Sequence, residues 1–555
     1  MKYYLTLIAL LVGCGANEDL KPADVQLLMS NESISQYKPL ELSTEFKASW
    51  KDPYNSNDVM TDLKIKTPSG KSLLLPGYFQ SGTPGEASIW SFKLAPKEIG
   101  TYTVSSIAYD NGKLIGESQP TTFVSTASQS QGFIESNNIW SFKYSNGEVF
   151  RGIGENFGWE ARDQDDSKYF KDLHEDKRFN YDTMLQKLSA NGANIFRTWM
   201  IYWNLPIDWN TVKNSARYSD NKKRFNDSAV TRMNELVSLT EQYNIKMILS
   251  LDSHAGFDDF AWPFNSYNKT TNGPAKDQTD FFVNPEAKQR YKDKLRFMVA
   301  NWSYSTGIAA WEFFNEVDNV MYNGYDRKID DDIVVNWHAE MSEYLSKIDA
   351  HGHLITTSIS HRDIEGLFDL EHIDLNQSHL YKVTDRIPEI INKFVSNHNK
   401  PYFAGEFSAE WDWSKNFDEF KGKMISDFKR GLWYGLFSPT PVMPLSWWWE
   451  YFDEHGTDTY FANVQKINRL MLEDGSLAKI EWAPNSNGLS EFAVQTKSKV
   501  FVYVVNTTET ILSWSNLSQL KLSSVYNCDT GKIEVGHNQS LKLSSGENFV
   551  LIFEK

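Results

Sequence analysis

The feature that most limits the fold is a change of rhythm at Gly132. Beyond it, short apolar segments alternate with longer amphipathic ones, which is the pattern of βα units on a parallel sheet. Eight strands can be read: Phe150–Asn156, Ile195–Trp199, Lys246–Leu251, Ile308–Glu316, Leu354–Ser358, Ile373–His379, Pro401–Glu406 and Met443–Trp449. Between them, Tyr181–Ala190, Ala229–Tyr243, Ala287–Asn301, Ile333–Ile348 and Phe417–Tyr434 carry apolar residues at helical spacing. Eight units over about 340 residues predict a (β/α)8 TIM barrel with loop insertions. A doubly wound sheet would carry fewer strands and usually a Gly-rich phosphate turn.

On either side of this region the period drops to two. From Val25 to Val124, short alternating runs such as Leu63-Lys64-Ile65-Lys66 and Ser88–Leu94 are separated by turn signals such as Thr67-Pro68-Ser69-Gly70. That pattern predicts an N-terminal Ig-like β-sandwich of about 100 residues. Ser125–Gln131 reads as a linker. Alternation returns from about Ile480, in Val500–Val505, Leu520–Leu522 and Phe549–Phe553, and predicts a smaller C-terminal sandwich. The expected division is therefore 1–13 signal, 14–24 tether, 25–127 sandwich, 132–478 barrel and 479–555 sandwich.

The charge balance excludes one class of partner. Lys and Arg number 56 against 72 Asp and Glu, a formal net charge of −16, and no basic run stands out, so binding to a nucleic-acid backbone is not expected. Aromatic residues make up 14% of the chain, which suits a protein that stacks rings on a ligand as well as in its core. Of the two cysteines, Cys14 ends the segment Leu11-Val12-Gly13-Cys14, preceded by a short apolar stretch and one early Lys. That stretch is too short to span a bilayer. It resembles a bacterial lipobox, in which the Cys is acylated and becomes the mature N-terminus. Cys528 is then left without a disulfide partner. Gly15 follows Cys14 where an inner-membrane retention signal would place Asp, so the expected location is the outer membrane of a Gram-negative cell, with the lipid anchor as the only membrane contact.

In a TIM barrel the chemistry sits at the C-terminal ends of the strands. Two of those ends carry carboxylates, Asn315-Glu316 on strand four and Gly405-Glu406 on strand seven. Two carboxylates facing one cleft are what glycoside hydrolysis requires, one to attack the anomeric carbon and one to protonate the leaving oxygen. Either Glu alone could be a surface or helix-start residue.

With this pair in place, the sequence resembles glycoside hydrolase clan A, and within it the family 5-like (β/α)8 retaining glycosidases. Six ordered elements carry the resemblance: Arg197 on strand two, His254 after strand three, Asn315-Glu316 on strand four, His379-Leu380-Tyr381 on strand six, Glu406 on strand seven and Trp447 on strand eight. Gly154, Asn156 and Trp159 also resemble the opening Gly-x-Asn turn of bacterial cellulase-like proteins that place a sandwich on each side of the barrel. The resemblance implies Glu316 as acid/base and Glu406 as nucleophile. Arg197, His254, Asn315, His379, Tyr381 and Trp447 are its implied substrate-binding residues. No cofactor is expected.

The roles carry electrostatic expectations. Glu406 should be ionised beside Arg197 and Tyr381, and Glu316 should begin protonated, raised by apolar surroundings and by Glu406. Asn315 should meet a sugar 2-hydroxyl, while His254 and His379 should bind hydroxyls or tune Glu406. His351-Gly352-His353 has metal-pair spacing but precedes strand five, at the end opposite the chemistry, and reads as a turn. Asp330-Asp331-Asp332 and Asp163–Asp166 read as solvated acidic loops. Trp159, Trp199, Trp203, Trp262, Trp411 and Trp447–Trp449 lie near strand ends as core residues or sugar platforms. The expected function is hydrolysis of a β-linked hexose polysaccharide or oligosaccharide, a β-glucan or β-mannan first, in an open cleft, with an algal β-galactan (agar or carrageenan) hydrolase or an exo-β-galactosidase of the same clan as the alternative. A non-catalytic carbohydrate-binding lipoprotein would not need both carboxylates. A metal-dependent barrel hydrolase would need a His-x-His on strand one that is absent.

Overall fold

The computed structural model describes residues 25–323, 326–480, 489–506, 510–513, 520–535, 540–543 and 548–555. Cys14 and the lipobox lie outside the described residues. No helix among the described residues is long and apolar enough to cross a membrane.

The barrel strands are Gly154–Asn156, Ile195–Trp199, Lys246–Ser250, Ile308–Glu312, Leu354–Thr356 continued by Ser358–Ile359, Asn376–Tyr381 and Tyr402–Ser408. All pair in parallel in chain order. The eighth position is held differently from the expected strand. Val442 bridges Gly152, and Ser446 bridges both Glu155 and Phe407, so the ring closes through isolated bridges. Trp447 and Trp448 then turn the chain into the helix Trp449–Glu454. Buried Arg151 holds this closure by donating to the carbonyls of Gly435, Leu436, Ser438 and Thr440. The Gly435 and Leu436 carbonyls belong to the last turn of the helix Lys421–Leu436, whose C-terminal end favours a cation.

Strand four is also shorter than its apolar run suggests. It ends at Glu312, and Glu316 caps the helix Val317–Met321 from a left-handed backbone conformation (φ 53°). Strand six begins at Asn376 rather than Ile373. Phe150 belongs not to strand one but to a small antiparallel sheet formed by Ile134–Asn138, Ser141–Tyr144 and Val149–Phe150. Its Ile134, Phe142, Tyr144 and Phe150 pack against Ile195, Ile248, Ala309, Leu354, Phe403 and Val442, closing the floor of the barrel.

The N-terminal residues form a four-stranded and a six-stranded sheet. In Leu40–Lys47 alternate residues Leu40, Leu42, Thr44 and Phe46 face inward, as a half-buried strand requires. Leu42 and Phe92 of one sheet share a core with Leu63, Tyr102 and Phe123 of the other. Pairing is antiparallel except where Ser33–Ser35 lies parallel to 124–126, which takes the first two residues of the expected linker into a strand. Beyond the barrel, 478–479, 489–495, 499–506, 521–527, 533–535 and 548–554 form a six-stranded sheet, and 510–513 pairs with 540–543. Tyr503 of that sheet stacks on Trp433 and Phe437 of the barrel.

The N-terminal sheets dock on the helix Pro285–Trp302 through buried polar contacts. Arg296 Nη2 donates to Asp62 Oδ1 at 2.5 Å and to the Thr61 carbonyl at 3.2 Å, and Ser56 Oγ donates to Asp293 at 2.6 Å. Removing one member of a buried ion pair leaves the other charge without compensation. We therefore expect Asp62→Ala to cost about 3–5 kcal/mol in chemical denaturation, while Asp62→Leu with Arg296→Met stays near wild type. A loss below about 1 kcal/mol for Asp62→Ala would show that the interface does not depend on this pair.

Candidate active site

Arg197 is the hub of the site. Its side chain is fully buried, and all five guanidinium N–H groups are used. Nε and Nη2 donate to the two oxygens of Glu312 at 2.6 and 2.7 Å, Nη1 to Asn156 Oδ1 at 3.0 Å and Glu406 Oε1 at 2.8 Å, and Nη2 to Asn315 Oδ1 at 2.6 Å. One side chain on strand two thus fixes residues from strands one, four and seven. Burial works against the charge on Arg197, and Glu312 and Glu406 overcome it.

Glu406 is aimed by an irregularity in strand seven. Ser378 pairs with Ala404 and His379 with Glu406, so Gly405 is an extra residue on one side of the ladder. The bulge brings His379 level with Glu406. A Cβ at position 405 would lie 2.1 Å from Gln377 Oε1, so any larger residue would have to displace the buried Gln377 side chain. The other Glu406 oxygen accepts from Tyr381 Oη at 2.6 Å.

Glu316 stands opposite. Its left-handed backbone is held by its own N–H, which donates to Ser358 Oγ at 2.9 Å, and its Oε2 accepts from Asn319 Nδ2 at 2.8 Å. Lys382 and Trp448, which follow strands six and eight, are likewise left-handed non-glycine residues at φ 65° and 68°. Such conformations cost on the order of 1–3 kcal/mol each and persist where surrounding contacts enforce them.

His379 links the two carboxylates. Its Nδ1 lies 2.7 Å from Glu316 Oε1 and 3.4 Å from Glu406 Oε2. One ligand atom from each of Glu316, His379 and Glu406 lies within 4.8 Å of the others. By distance alone the three could surround a cation, but both Glu406 oxygens already accept hydrogen bonds. His254 Nδ1 sits 3.4 Å from Glu316 and 3.2 Å from Asn315 Nδ2, which also donates to Ser253. Trp447 is buried in an aromatic cluster beside Trp199, with ring centroids 5.0 Å apart. All eight candidate residues therefore converge at one end of the barrel.

The proton order in the free site is the reverse of the expected one. Burial pushes the Glu316 carboxyl up, but the hydrogen bond and charge of His379, with His254 and Arg197, draw it down to about 2. Burial also acts on Glu406, and with the neighbouring Glu316 it keeps that carboxyl above its ordinary value despite His379, Arg197 and Tyr381. His379 is raised because Glu406 and Glu316 outweigh its burial. The physical reason is where His379 Nδ1 lies, nearer to Glu316 than to Glu406.

Glu312 was not singled out by its sequence, although an acidic residue inside the apolar run Ile308–Phe314 demands a buried cation, and Arg197 is that cation. Asn156 has a double role, since its Nδ2 also donates to the carbonyls of Gly405, Leu445 and Ser446. The remaining clusters are structural. His351 accepts from the Ala95 N–H and meets Ser303 Oγ, and His353 pairs with Asp349 at 2.8 Å, all away from the carboxylates. The Asp163–Asp166 segment is not wholly solvated, because Asp165 is buried between Arg162 and His174. Asp331 pairs with Arg327 at the start of the helix Asp331–Ile348. Trp411 is 56% exposed, whereas Trp159, Trp199, Trp203, Trp262 and Trp447–Trp449 are buried.

With this geometry established, the chain can be compared with known proteins. No protein-family profile matches it. It is 24% identical over 248 residues to a probable mannan endo-1,4-β-mannosidase F of Neosartorya fischeri, covering 40% of this chain and 50% of that one. It is also 24% identical over 186 residues to the mannan endo-1,4-β-mannosidase A of Aspergillus aculeatus, covering 32% and 44%. The chain thus spans about half the length of the curated relatives it matches. Among solved structures, it resembles a putative glycoside hydrolase from Bacteroides vulgatus with a TM-score of 0.64 at 10% identity, over 95% of this chain and all of that one. What is shared with that structure is the fold alone.

Proposed function

We propose that this chain is a retaining β-glycoside hydrolase that cleaves β-linked hexose polysaccharide or oligosaccharide by double displacement. The observation that carries the reading is the separation of the carboxylates. Retaining sites hold them about 5–5.5 Å apart, and inverting sites need about 6.5–9.5 Å to admit a water molecule. One oxygen of Glu316 lies within 4.8 Å of one oxygen of Glu406, on the short side of that division. In the first step a Glu406 oxygen bonds to the anomeric carbon while the glycosidic C–O bond breaks and Glu316 gives its proton to the leaving oxygen. In the second, Glu316 takes a proton from water, whose oxygen attacks the same carbon and frees Glu406. Arg197 and Tyr381 hold Glu406 in line and share its charge.

The free-site proton order assigns His379 a part in this cycle. The proton rests on His379 and passes across the 2.7 Å hydrogen bond to Glu316 Oε1 once a sugar covers the site and removes solvent from both. Asn315 and His254, adjacent to Glu316, are placed for the sugar hydroxyls. The favoured substrates are β-mannan and β-glucan. The relatives named mannan endo-1,4-β-mannosidases support the first, and a net charge of −16 disfavours densely anionic chains. A polysaccharide panel that includes agar and carrageenan, with product sizing, tests this choice, and cleavage of galactans alone would overturn it. The reading includes an Ig-like sandwich at 25–127 and a small sandwich at 479–555 flanking the barrel, and an outer-membrane lipid anchor at Cys14.

Glu316→Ala should lose about 10²–10⁴-fold in kcat, and azide should restore turnover with a β-glycosyl azide as product. Glu406→Ala should be inactive on natural substrate and give at most the α-azide, formed by a single inversion from an activated β-glycoside. Proton NMR of the first-formed wild-type product should show the β anomer, and an initial α product would contradict the mechanism.

The alkaline limb of kcat/KM should lie above pH 6.5, the ordinary value of histidine, because the proton is held by a raised His379 and is lost only as pH climbs past it. His379→Asn should move that limb down by about one unit, and an unmoved limb would remove His379 from the proton path. Finally, Cys14→Ser should release the protein from the membrane fraction or block its processing. Wild-type protein recovered unmodified in the cytosol would count against the anchor.

A further inference from the structure

The position of the acid decides where each half of a substrate must lie. Glu316 protonates the departing oxygen, so the leaving sugar occupies the strand-four side. The ring retained on Glu406 extends away from it, toward strands eight, one and two. That direction ends in tryptophan. The Trp199 ring lies 5.9 Å from the Arg197 guanidinium, 6.3 Å from the His254 ring and 5.0 Å from the Trp447 ring. Behind it Trp159 makes edge-on contacts at 5.4 Å with Trp199, 5.4 Å with Trp203 and 4.9 Å with Trp449. None of these rings is more than 8% exposed. Arg162 backs the wall, its guanidinium 5.0 Å from Trp159 and 5.6 Å from Trp203, and Asp165 anchors Arg162 at 2.6 Å.

The wall has unspent polarity. The indole N–H groups of Trp159, Trp199, Trp203 and Trp449 are buried and meet no acceptor among the described residues. A buried donor without a partner is destabilising by about 1–3 kcal/mol, so four in one wall, with Trp199 at its front against Arg197 and His254, point to an acceptor that arrives from outside. A sugar at the end of a chain has the needed group. It carries a free hydroxyl where an internal sugar continues into its neighbour.

We propose that this tryptophan wall closes the site one sugar beyond the scissile bond, making the enzyme exo-acting on the non-reducing ends of β-linked hexose chains. The inference rests on the glycosidase reading above and narrows it. A second sugar on the retained side would need the volume that Trp199 and Trp159 fill, and displacing either would uncover Arg162 and Asp165. The retained sugar is by necessity on the non-reducing side of the broken bond, so a site one sugar deep accepts only that end. An open cleft, as the sequence led us to expect, would have left these rings exposed.

The test follows the first turnovers of the full-length protein on β-1,4-mannohexaose and β-1,4-glucohexaose, each carrying a fluorophore at the reducing end. Exo action releases unlabelled monosaccharide from the start, and the label moves from hexamer to pentamer to tetramer in order. Methylation of the terminal 4-hydroxyl should slow cleavage about 100-fold, because the ether oxygen still accepts a hydrogen bond but a closed wall leaves no room for the added methyl group. Label appearing first on trimer or shorter, or methyl-capped chains cut at the uncapped rate, would overturn the proposal while leaving the glycosidase reading intact. No cleavage of either hexamer or of any panel polysaccharide would overturn both. Trp159→Ala should add disaccharide to the early products, and its absence in a folded variant would argue against the wall.

Discussion

A guanidinium at the centre of the barrel sets the terms for everything around it. Burying a cation is costly unless every N–H finds an acceptor, and Arg197 meets that demand with acceptors drawn from three other strands. The bidentate pair with Glu312 takes two N–H groups and leaves one each for Glu406, Asn156 and Asn315. The candidate nucleophile is therefore oriented by a group whose own position is fixed by a second carboxylate deeper in the barrel. Replacing Glu312 would disturb Glu406 without touching it.

The same economy of means shapes the backbone at the mouth. A single extra residue in strand seven brings His379 level with Glu406, and left-handed residues after strands four, six and eight turn the chain at the positions of Glu316, Lys382 and Trp448. These distortions sit at the strand ends where side chains must converge, while the floor is filled by an ordinary apolar plug. Rigidity below and strain above is the arrangement expected of a barrel whose mouth holds groups at fixed distances.

Much of this was legible in the sequence because a strand end is a position as well as a pattern. Glu316 and Glu406 could be read as strand-end carboxylates and Arg197 and Tyr381 through the resemblance to the glycosidase clan, and the helix Tyr181–Ala190 coincides with its predicted span. Glu312 escaped notice because it sits inside such a run, where only the cost of burying it gives it away. The helices Ile387–His398 and Tyr460–Asp474 were unread although Ile387, Ile391 and Val395, and Tyr460, Val464, Ile467 and Met471, repeat at helical spacing on buried faces. What no local pattern holds is register. The Gly405 bulge, the closure through Val442 and Ser446, and the nearness of His379 to Glu316 arise from pairing between distant segments, and the last of these inverted the expected proton order.

The closure of the barrel has a consequence for how the chain reaches this state. Gly152 and Val442 are 290 positions apart, and their bridge is made only when nearly the whole barrel is in place. Bringing together ends so far apart costs on the order of 5 kcal/mol of chain entropy by the logarithmic rule. Until it happens, strands one and seven both present open edges. During synthesis the ribosome must deliver everything through Ser446 before those edges can be covered, so folding should be slow and late. The interval in which they stand unpaired is when this protein is most exposed to misassociation.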